Sequence, residues 1–246
     1  MDRTLISSIA HGDHPIAAPV SEDNLDRLLL RCELPEHARV LDLGCGQGAW
    51  SLQALDLYPA ARADCVDVSE PALETLEAAA AELGFADRVL THRVPAADFP
   101  VGSPYDLVMS VGATHAFGGL AATLAGMRPH VARDGVAIIG DGFWERPPTP
   151  EALAALGAEP GDFPDLAGVV AIAEEAGWAP VYGHVSDRAE WDDYEWSWTG
   201  TLTRWALDNP GPEADEALAA ARRHRAEWLR GYRDVLGFVC LVLRKS

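Results

Sequence analysis

Apolar and polar positions along this chain follow two periods: short unbroken apolar runs of strand length, and longer stretches in which apolar residues recur every three to four positions. Leu25, Leu28, Leu29 and Leu30, preceded by Ser21-Glu22-Asp23-Asn24, predict a helix whose first turn carries the acids that its positive end favours. A strand over Ala38 to Leu43 follows and stops at glycines 44, 46 and 48. After another helix, Cys65-Val66-Asp67-Val68 reads as a second strand. Ser69 is then the N-cap of an alanine-rich helix over Pro71 to Leu83, closed by Gly84. Short strands are expected near Val89 to Val94, Leu107 to Val111 and Val136 to Ile139, with a helix over Gly119 to Ala132 between the last two. Asp165 is placed to cap a helix over Leu166 to Ala176, Gly177 stops it, and Pro180 to Val185 forms another strand. Strands and helices alternating at these lengths predict a parallel sheet covered by helices on both faces. Beyond Val185 the pattern changes. Asp187 to Tyr232 is helical with a break at Asn209-Pro210-Gly211-Pro212, and a last strand runs from Val235 to Leu243.

The junction of the first strand and the next helix carries the strongest chemical signal. Val40 to Trp50 reads Val-Leu-Asp-Leu-Gly-Cys-Gly-Gln-Gly-Ala-Trp. Glycines here permit a tight strand-to-helix turn, so that main-chain N–H groups approach a ligand closely. Taken bare, Gly44, Gly46 and Ala49 also satisfy the dinucleotide pattern G-x-G-x-x-G/A, a weak signal. Asp42, one residue removed from Gly44, sharpens the reading: a carboxylate at this turn repels a pyrophosphate and attracts ammonium or sulfonium groups. Asp67, about twenty residues further on at the end of the second strand, suits acceptance from ribose hydroxyls.

The Asp-x-Gly-x-Gly-x-Gly run followed by Asp67 resembles the class I S-adenosylmethionine-dependent methyltransferases, over roughly Val40 to Gly140. That resemblance implies a seven-stranded Rossmann-like α/β sheet, mostly parallel with an antiparallel last strand. It also implies S-adenosyl-L-methionine as cofactor. The glycine turn would hold the methionine part through Asp42, Gly44, Cys45 and Gly46, and Asp67 with Val68 would meet the ribose. The loops at Ala96, Ala97 and Val111 would flank the adenine. The family often has an acid just after the third strand that accepts from the adenine amine. Here Pro95 stands nearest that place, and Asp98 is the shifted alternative.

Composition changes the picture mainly by exclusion. A net charge of −19, from 38 acidic and 19 basic residues, opposes a phosphate backbone, and the one basic cluster, Arg222-Arg223-His224-Arg225, reads as a solvated helix face. A small-molecule acceptor is therefore expected, and not nucleic acid. Cys32, Cys45, Cys65 and Cys240 lack C-x-x-C spacing, which favours reduced thiols over disulfides or zinc. No run of eighteen apolar residues and no signal-peptide pattern occurs, so a cytoplasmic protein without a membrane segment is expected. Abundant alanine and arginine with little lysine suggests a high-GC bacterial source.

The remaining candidates lie in segments that follow strands. His115, in Ser110-Val111-Gly112-Ala113-Thr114-His115, sits just past the fourth strand and is the candidate base for an acceptor nitrogen or oxygen. Asp141, Trp144 and Glu145 are expected on a loop after the fifth strand, within acceptor reach, with Pro147-Pro148 stiffening the start of a lid. Trp191, Tyr194, Glu195 and Trp198 fall on one helical face, so the three aromatics either pack that helix or wall a substrate. His11 and His14 flank Asp13 in an N-terminal arm that reads as a cover over the acceptor rather than a metal site. These segments together define the expected acceptor pocket. The chain reads as one domain: arm and helix over 1–36, cofactor core over 37–186, helical insertion over 187–233 and last strand over 234–246. Two other functions share the glycine turn. A nicotinamide-dependent oxidoreductase is disfavoured by Asp42 and by the lack of a Tyr-x-x-x-Lys motif; a non-catalytic cofactor-binding protein is the other.

Overall fold

The computed structural model describes residue 1 and residues 3–246. Its strands are β1 (Arg39–Leu43), β2 (Arg62–Asp67), β3 (Val89–Arg93), β4 (Tyr105–Val111), β5 (Val131–Trp144), β6 (Trp178–Val185) and β7 (Leu236–Lys245). They form one seven-stranded sheet in the order β3-β2-β1-β4-β5-β7-β6. β3 with β2, β2 with β1, β1 with β4 and β4 with β5 pair in parallel, and β6 and β7 pair antiparallel. The expected fold class is therefore the observed one. The α-helices are α1 (Arg3–Ala10), α2 (Glu22–Leu30), α3 (Ala49–Leu57), α4 (Glu70–Glu82), α5 (Leu120–Met127), α6 (Pro150–Leu156), α7 (Leu166–Glu175), α8 (Arg188–Asp208) and α9 (Pro212–Glu227). Among the described residues no helix is long and apolar enough to cross a membrane.

The backbone groups into two compact units, where the sequence reads as one domain with an insertion. A sheet unit comprises 21–142, 166–185 and 238–246, and a helical unit comprises 1–20, 143–165 and 186–237. In the sheet unit, β1 lies between two parallel neighbours, and Val40, Leu41 and Leu43 are fully buried. Such double burial is why its sequence is a continuous apolar run rather than an alternating one. Ser69 caps α4 by accepting from the N–H of Ala72 at 3.4 Å. On β6, the buried Trp178 donates its indole N–H to the carbonyl of Leu124 on α5 at 3.2 Å, so a ring too large to leave polar is satisfied inside the core.

β5 differs most from expectation. It runs from Val131 to Trp144 instead of the predicted Val136 to Ile139, so Asp141 and Trp144 are strand residues and not loop residues. The ladder from β4 continues to Val111↔Gly140, and a paired neighbour overrides the weak strand preference of that glycine.

The helical unit is held by two cores. In one, Leu202 and Ala206 of α8 pack with Ala214, Ala217, Ala220 and Ala221 of α9, small side chains that let two helices approach closely, and with Ala10 of α1. In the other, Trp144, Ala152, Trp228, Tyr232 and Val235 pack together. α8 begins with a capping box: Asp187 Oδ1 accepts from the N–H groups of Ala189 and Glu190, and Glu190 Oε2 accepts from the N–H of Asp187. A π-helical turn over Trp228–Tyr232 follows α9. Tyr232 donates its hydroxyl to Glu195 Oε1 at 2.7 Å, and His224 Nε2 donates to Glu195 Oε2 at 2.7 Å. A carboxylate only 2% exposed is thus satisfied on both oxygens, as buried charge requires.

Glycines 46 and 48 both have positive φ but differ in the space around them. A β-carbon at Gly48 (φ 80°) would lie 2.2 Å from Leu76 Cδ1, whereas one at Gly46 (φ 52°) would meet nothing within 4 Å. Gly48→Ala is expected to destabilise the protein by about 2–5 kcal/mol, strain of the left-handed backbone plus overpacking. Gly46→Ala should lose about 1–2 kcal/mol from backbone strain alone. Urea unfolding of the two variants tests this, and equal losses would contradict it.

Candidate functional site

The C-terminal ends of β1 and β2 are fastened together by backbone and side chain. The N–H groups of Gly44 and Cys45 both donate to the carbonyl of Val66, at 2.8 and 3.0 Å. Beyond it, the Asp67 carboxylate accepts from the N–H of Gly46 on Oδ2 at 2.9 Å and from the N–H of Ser69 on Oδ1 at 2.8 Å. A carboxylate offers about four lone-pair positions. Two are used here, one on each oxygen, so both oxygens keep acceptor capacity for a pair of hydroxyls. Val68, next in sequence, is 61% exposed, an apolar surface beside those oxygens.

Asp42 lies beneath the turn, 4% exposed, and accepts from the Ser51 hydroxyl at 2.8 Å. Burial pushes its carboxyl up to about 7; the Ser51 hydrogen bond opposes that shift and the Asp67 charge adds to it. A cation brought to this turn would favour the ionised form. The Cys45 thiol is raised by its neighbour Cys65 and by burial, so it stays protonated and acts as a weakly polar packing group. Ala96 is buried in a 3-10 turn over Ala96–Asp98, while Ala97 and Asp98 are exposed on it. Val111 is part-buried at the end of β4.

His115 lies on a 3-10 turn over Thr114–Phe117 just past β4, with its side chain exposed. Asp141, on the neighbouring strand β5, interacts electrostatically with it. Burial raises the Asp141 carboxyl; the Gly142 N–H (2.8 Å to Oδ1), the Thr114 hydroxyl and the His115 charge pull it back down. Parallel strands that are adjacent in the sheet bring their C-terminal ends together, and the sheet order β4-β5 makes this pair. The two residues are far apart in sequence, and their pairing was not foreseen. The Ser51 partner of Asp42 was not foreseen either, because it needs a strand and the following helix to be docked.

The other expected acceptor contacts belong to the helical unit. Trp144 is committed to packing: it is 7% exposed, its ring meets Phe163 at 5.1 Å and its indole N–H donates to the carbonyl of Pro160 at 3.0 Å. Continuation of β5 carries it into the core instead of onto a loop. Glu145 is exposed, and its N–H donates to the carbonyl of Val235. Trp198 stacks on His224 with ring centroids 4.0 Å apart, supporting the Glu195 network. Tyr194 gathers His11, His14 and Trp191 around itself, at 5.9, 5.4 and 6.3 Å between ring centroids.

Comparison with known proteins follows this geometry. A family model described as a methyltransferase domain matches residues 40–135, from the start of β1 into β5. The uncharacterized protein YjhP of Escherichia coli (strain K12) is 28% identical over 229 residues, 91% of this chain and 89% of its own. Two crystal structures are similar over nearly the full length of both chains. One is a SAM-dependent methyltransferase from Geobacter sulfurreducens in complex with S-adenosyl-L-homocysteine, with TM-score 0.91, 26% identity and 98% of each chain covered. The other is a SAM-dependent methyltransferase from Thiobacillus denitrificans in complex with the same molecule, with TM-score 0.89, 28% identity and 100% and 99% covered. The strand order, the glycine turn and a likeness that extends far beyond the turn lead to one conclusion: residues 40–135 match a methyltransferase domain, and the chain has the class I, Rossmann-like fold of the S-adenosylmethionine-dependent methyltransferases it is similar to.

Proposed function

We propose that the protein transfers a methyl group from S-adenosyl-L-methionine to a small-molecule acceptor. The observation that carries this reading is the turn between β1 and α3. Its backbone is tied to Asp67, whose two oxygens each retain acceptor capacity, and it lies above a buried Asp42 that a cationic ligand would ionise. The two similar structures in complex with S-adenosyl-L-homocysteine support the same ligand for this turn. Bound S-adenosyl-L-methionine would supply a methyl group activated on a sulfonium, whose sulfur leaves as the neutral thioether and so needs no acid. In this reading the chain's own residues position and desolvate the reactants. Asp67 accepts from the ribose hydroxyls with Val68 beside it, the 96–98 turn with Val111 flanks the base, and Asp98 is the candidate acceptor for its amine. Gly44, Cys45 and Gly46 present the turn to the methionine part, with Asp42 as counter-charge to its cationic end.

His115 is the proposed proton acceptor for an acceptor group that carries a proton at attack. Asp141 beside it stabilises the imidazolium that forms. The acidic balance of the chain favours a small acceptor over nucleic acid.

Three outcomes test the reading. S-adenosyl-L-homocysteine should bind in calorimetry while NAD does not. Asp67→Ala should weaken that binding about ten- to a hundredfold, the loss of charge-assisted hydrogen bonds; unchanged affinity would remove Asp67 from the ribose. The second outcome concerns pH. Because the folded Asp42 carboxyl titrates near 7 rather than 3.8, the free protein holds an extra proton below that pH. The stability this group contributes is fully present at acid pH and is lost as pH rises through about 7. Cofactor affinity should run the opposite way and strengthen from pH 6 to pH 8. Asp42→Asn should flatten both profiles, and parallel profiles in variant and wild type would refute the link. Third, S-adenosyl-L-homocysteine release should be detected with at least one member of a panel of small nucleophiles. With that acceptor, His115→Ala should lower turnover about a hundredfold and leave cofactor affinity within a few-fold of wild type. Loss of cofactor binding in that variant would assign His115 to the cofactor instead.

A further inference from the structure

The arginine cluster at 222–225 and the outer face of α8 take no part in the proposed methyl transfer. α8 and α9 run antiparallel within the helical unit: Glu195 meets His224 and Trp196 meets Trp228, while Leu202 and Ala206 share a core with Ala214 and Ala217. One flank of this pair is closed by Trp198 stacking on His224. The other flank is open. On α8 it presents Trp196, Gly200, Thr203 and Leu207, which recur at steps of four, three and four and so share one face. Trp196 is 51% exposed and Leu207 is 68% exposed, and a β-carbon at Gly200 would meet nothing within 4 Å. On α9 and the turn after it, the positions directed away from His224 at the same spacing are Asp215, Leu218, Arg222, Arg225 and Leu229.

This face is complementary to itself. The contacts between the two helices place the stretch from Gly200 to Thr203 level with Ala220. A second copy rotated by 180° about an axis across the face at that level would set Gly200 against the partner's Thr203 and Trp196 against the partner's Leu207, each pair formed twice. Crossed helices approach most closely where the side chains are small and diverge towards the ends, where a tryptophan and a leucine fill the widening gap. The charges obey the same operation. Asp215 stands five residues before Ala220 and Arg225 five residues after it, so the rotation sets Asp215 opposite the partner's Arg225. Among the described residues neither of the two has an ion-pair partner within its own chain. The helix dipole favours acids in the first turn of α9 and bases in the last, which accounts for the order of the signs but not for apolar side chains left in water beside them. Most surfaces of a chain of net charge −19 repel a second copy, whereas this face offers both signs in register.

We propose that the outer face of α8 and α9 is an isologous interface for a second copy of this chain, with α8 packed antiparallel on α8 and α9 on α9 to complete a four-helix bundle.

Sedimentation velocity on the full chain should show a species of twice the mass of one chain, its fraction rising with concentration. A leucine at position 200 has room in the single chain but none in the dimer, so Gly200→Leu should weaken association about a hundredfold or more with an unchanged circular dichroism spectrum. Asp215→Arg and Arg225→Glu each set like charges opposite one another at two symmetric places, and each should weaken the dimer about tenfold. The double variant Asp215→Arg, Arg225→Glu exchanges the two signs and should return the affinity to within a few-fold of wild type. A wild-type protein that stays monomeric at about 100 µM leaves this face to another occupant and overturns the proposal. So does a dimer that Gly200→Leu leaves intact, or a double variant that associates no more tightly than the single ones.

Discussion

The Asp67 carboxylate is the contact on which the ligand-binding end of the sheet depends. One oxygen holds the glycine turn that leaves β1 and the other holds the start of α4 that leaves β2, so two loops that would otherwise be independent share one reference point. The register below them, Asp42↔Cys65 and Leu43↔Val66, sets the height at which that carboxylate emerges. A turn built from glycines has high conformational freedom in the unfolded chain, and fastening its N–H groups to Val66 and Asp67 removes that freedom before any ligand arrives. The cost of ordering is met by the fold, and binding energy is left for recognition.

Electrostatics at this end are unbalanced by construction. The Asp67 charge adds to the cost of ionising the buried Asp42, which is relieved by the neutral hydroxyl of Ser51. In a chain of net charge −19, no surplus of basic side chains offsets them. On the proposed reading, these two carboxylates suit a ligand with positive charge at one end and hydroxyls at the other. A pyrophosphate would meet repulsion on both.

How much of this was legible in the sequence depends on the range of the interaction responsible. Val40 to Leu43, the glycines, Ser69 with its alanine-rich helix, and the break at Asn209 to Pro212 are local signals, and each element appears close to its expected place. β5 extends beyond the expected Val136 to Ile139 at a glycine, a poor strand former taken alone, because the ladder from β4 carries the strand on to Gly140. α6 lies just beyond Pro147-Pro148, the pair that reads as stiffening the start of a lid, and has no counterpart among the expected elements. Thr149 caps it and Pro150 takes its first position, where proline's missing N–H costs nothing. The groupings of Glu195 with His224 and Tyr232, and of Tyr194 with His11 and His14, join residues 8 to 183 positions apart. Periodicity carries no record of such pairings; only the packed helices bring them together. Trp198 shows the limit from the other side: its place on the aromatic face of α8 was legible, but its stacking partner was not.

The position of β7 has a consequence for the order in which the molecule can be made. Leu236–Lys245 is inserted between β5 and β6, so the sheet's interior includes the strand that is translated after all the others. Until that segment has emerged, β5 presents an unpaired edge whose burial is otherwise nearly complete, and β6 lacks its neighbour in the sheet. Nascent chains therefore pass through a stage in which an apolar strand edge is open to association with other chains. Val239 to Leu243, five apolar and buried residues in succession, are the piece that closes this gap.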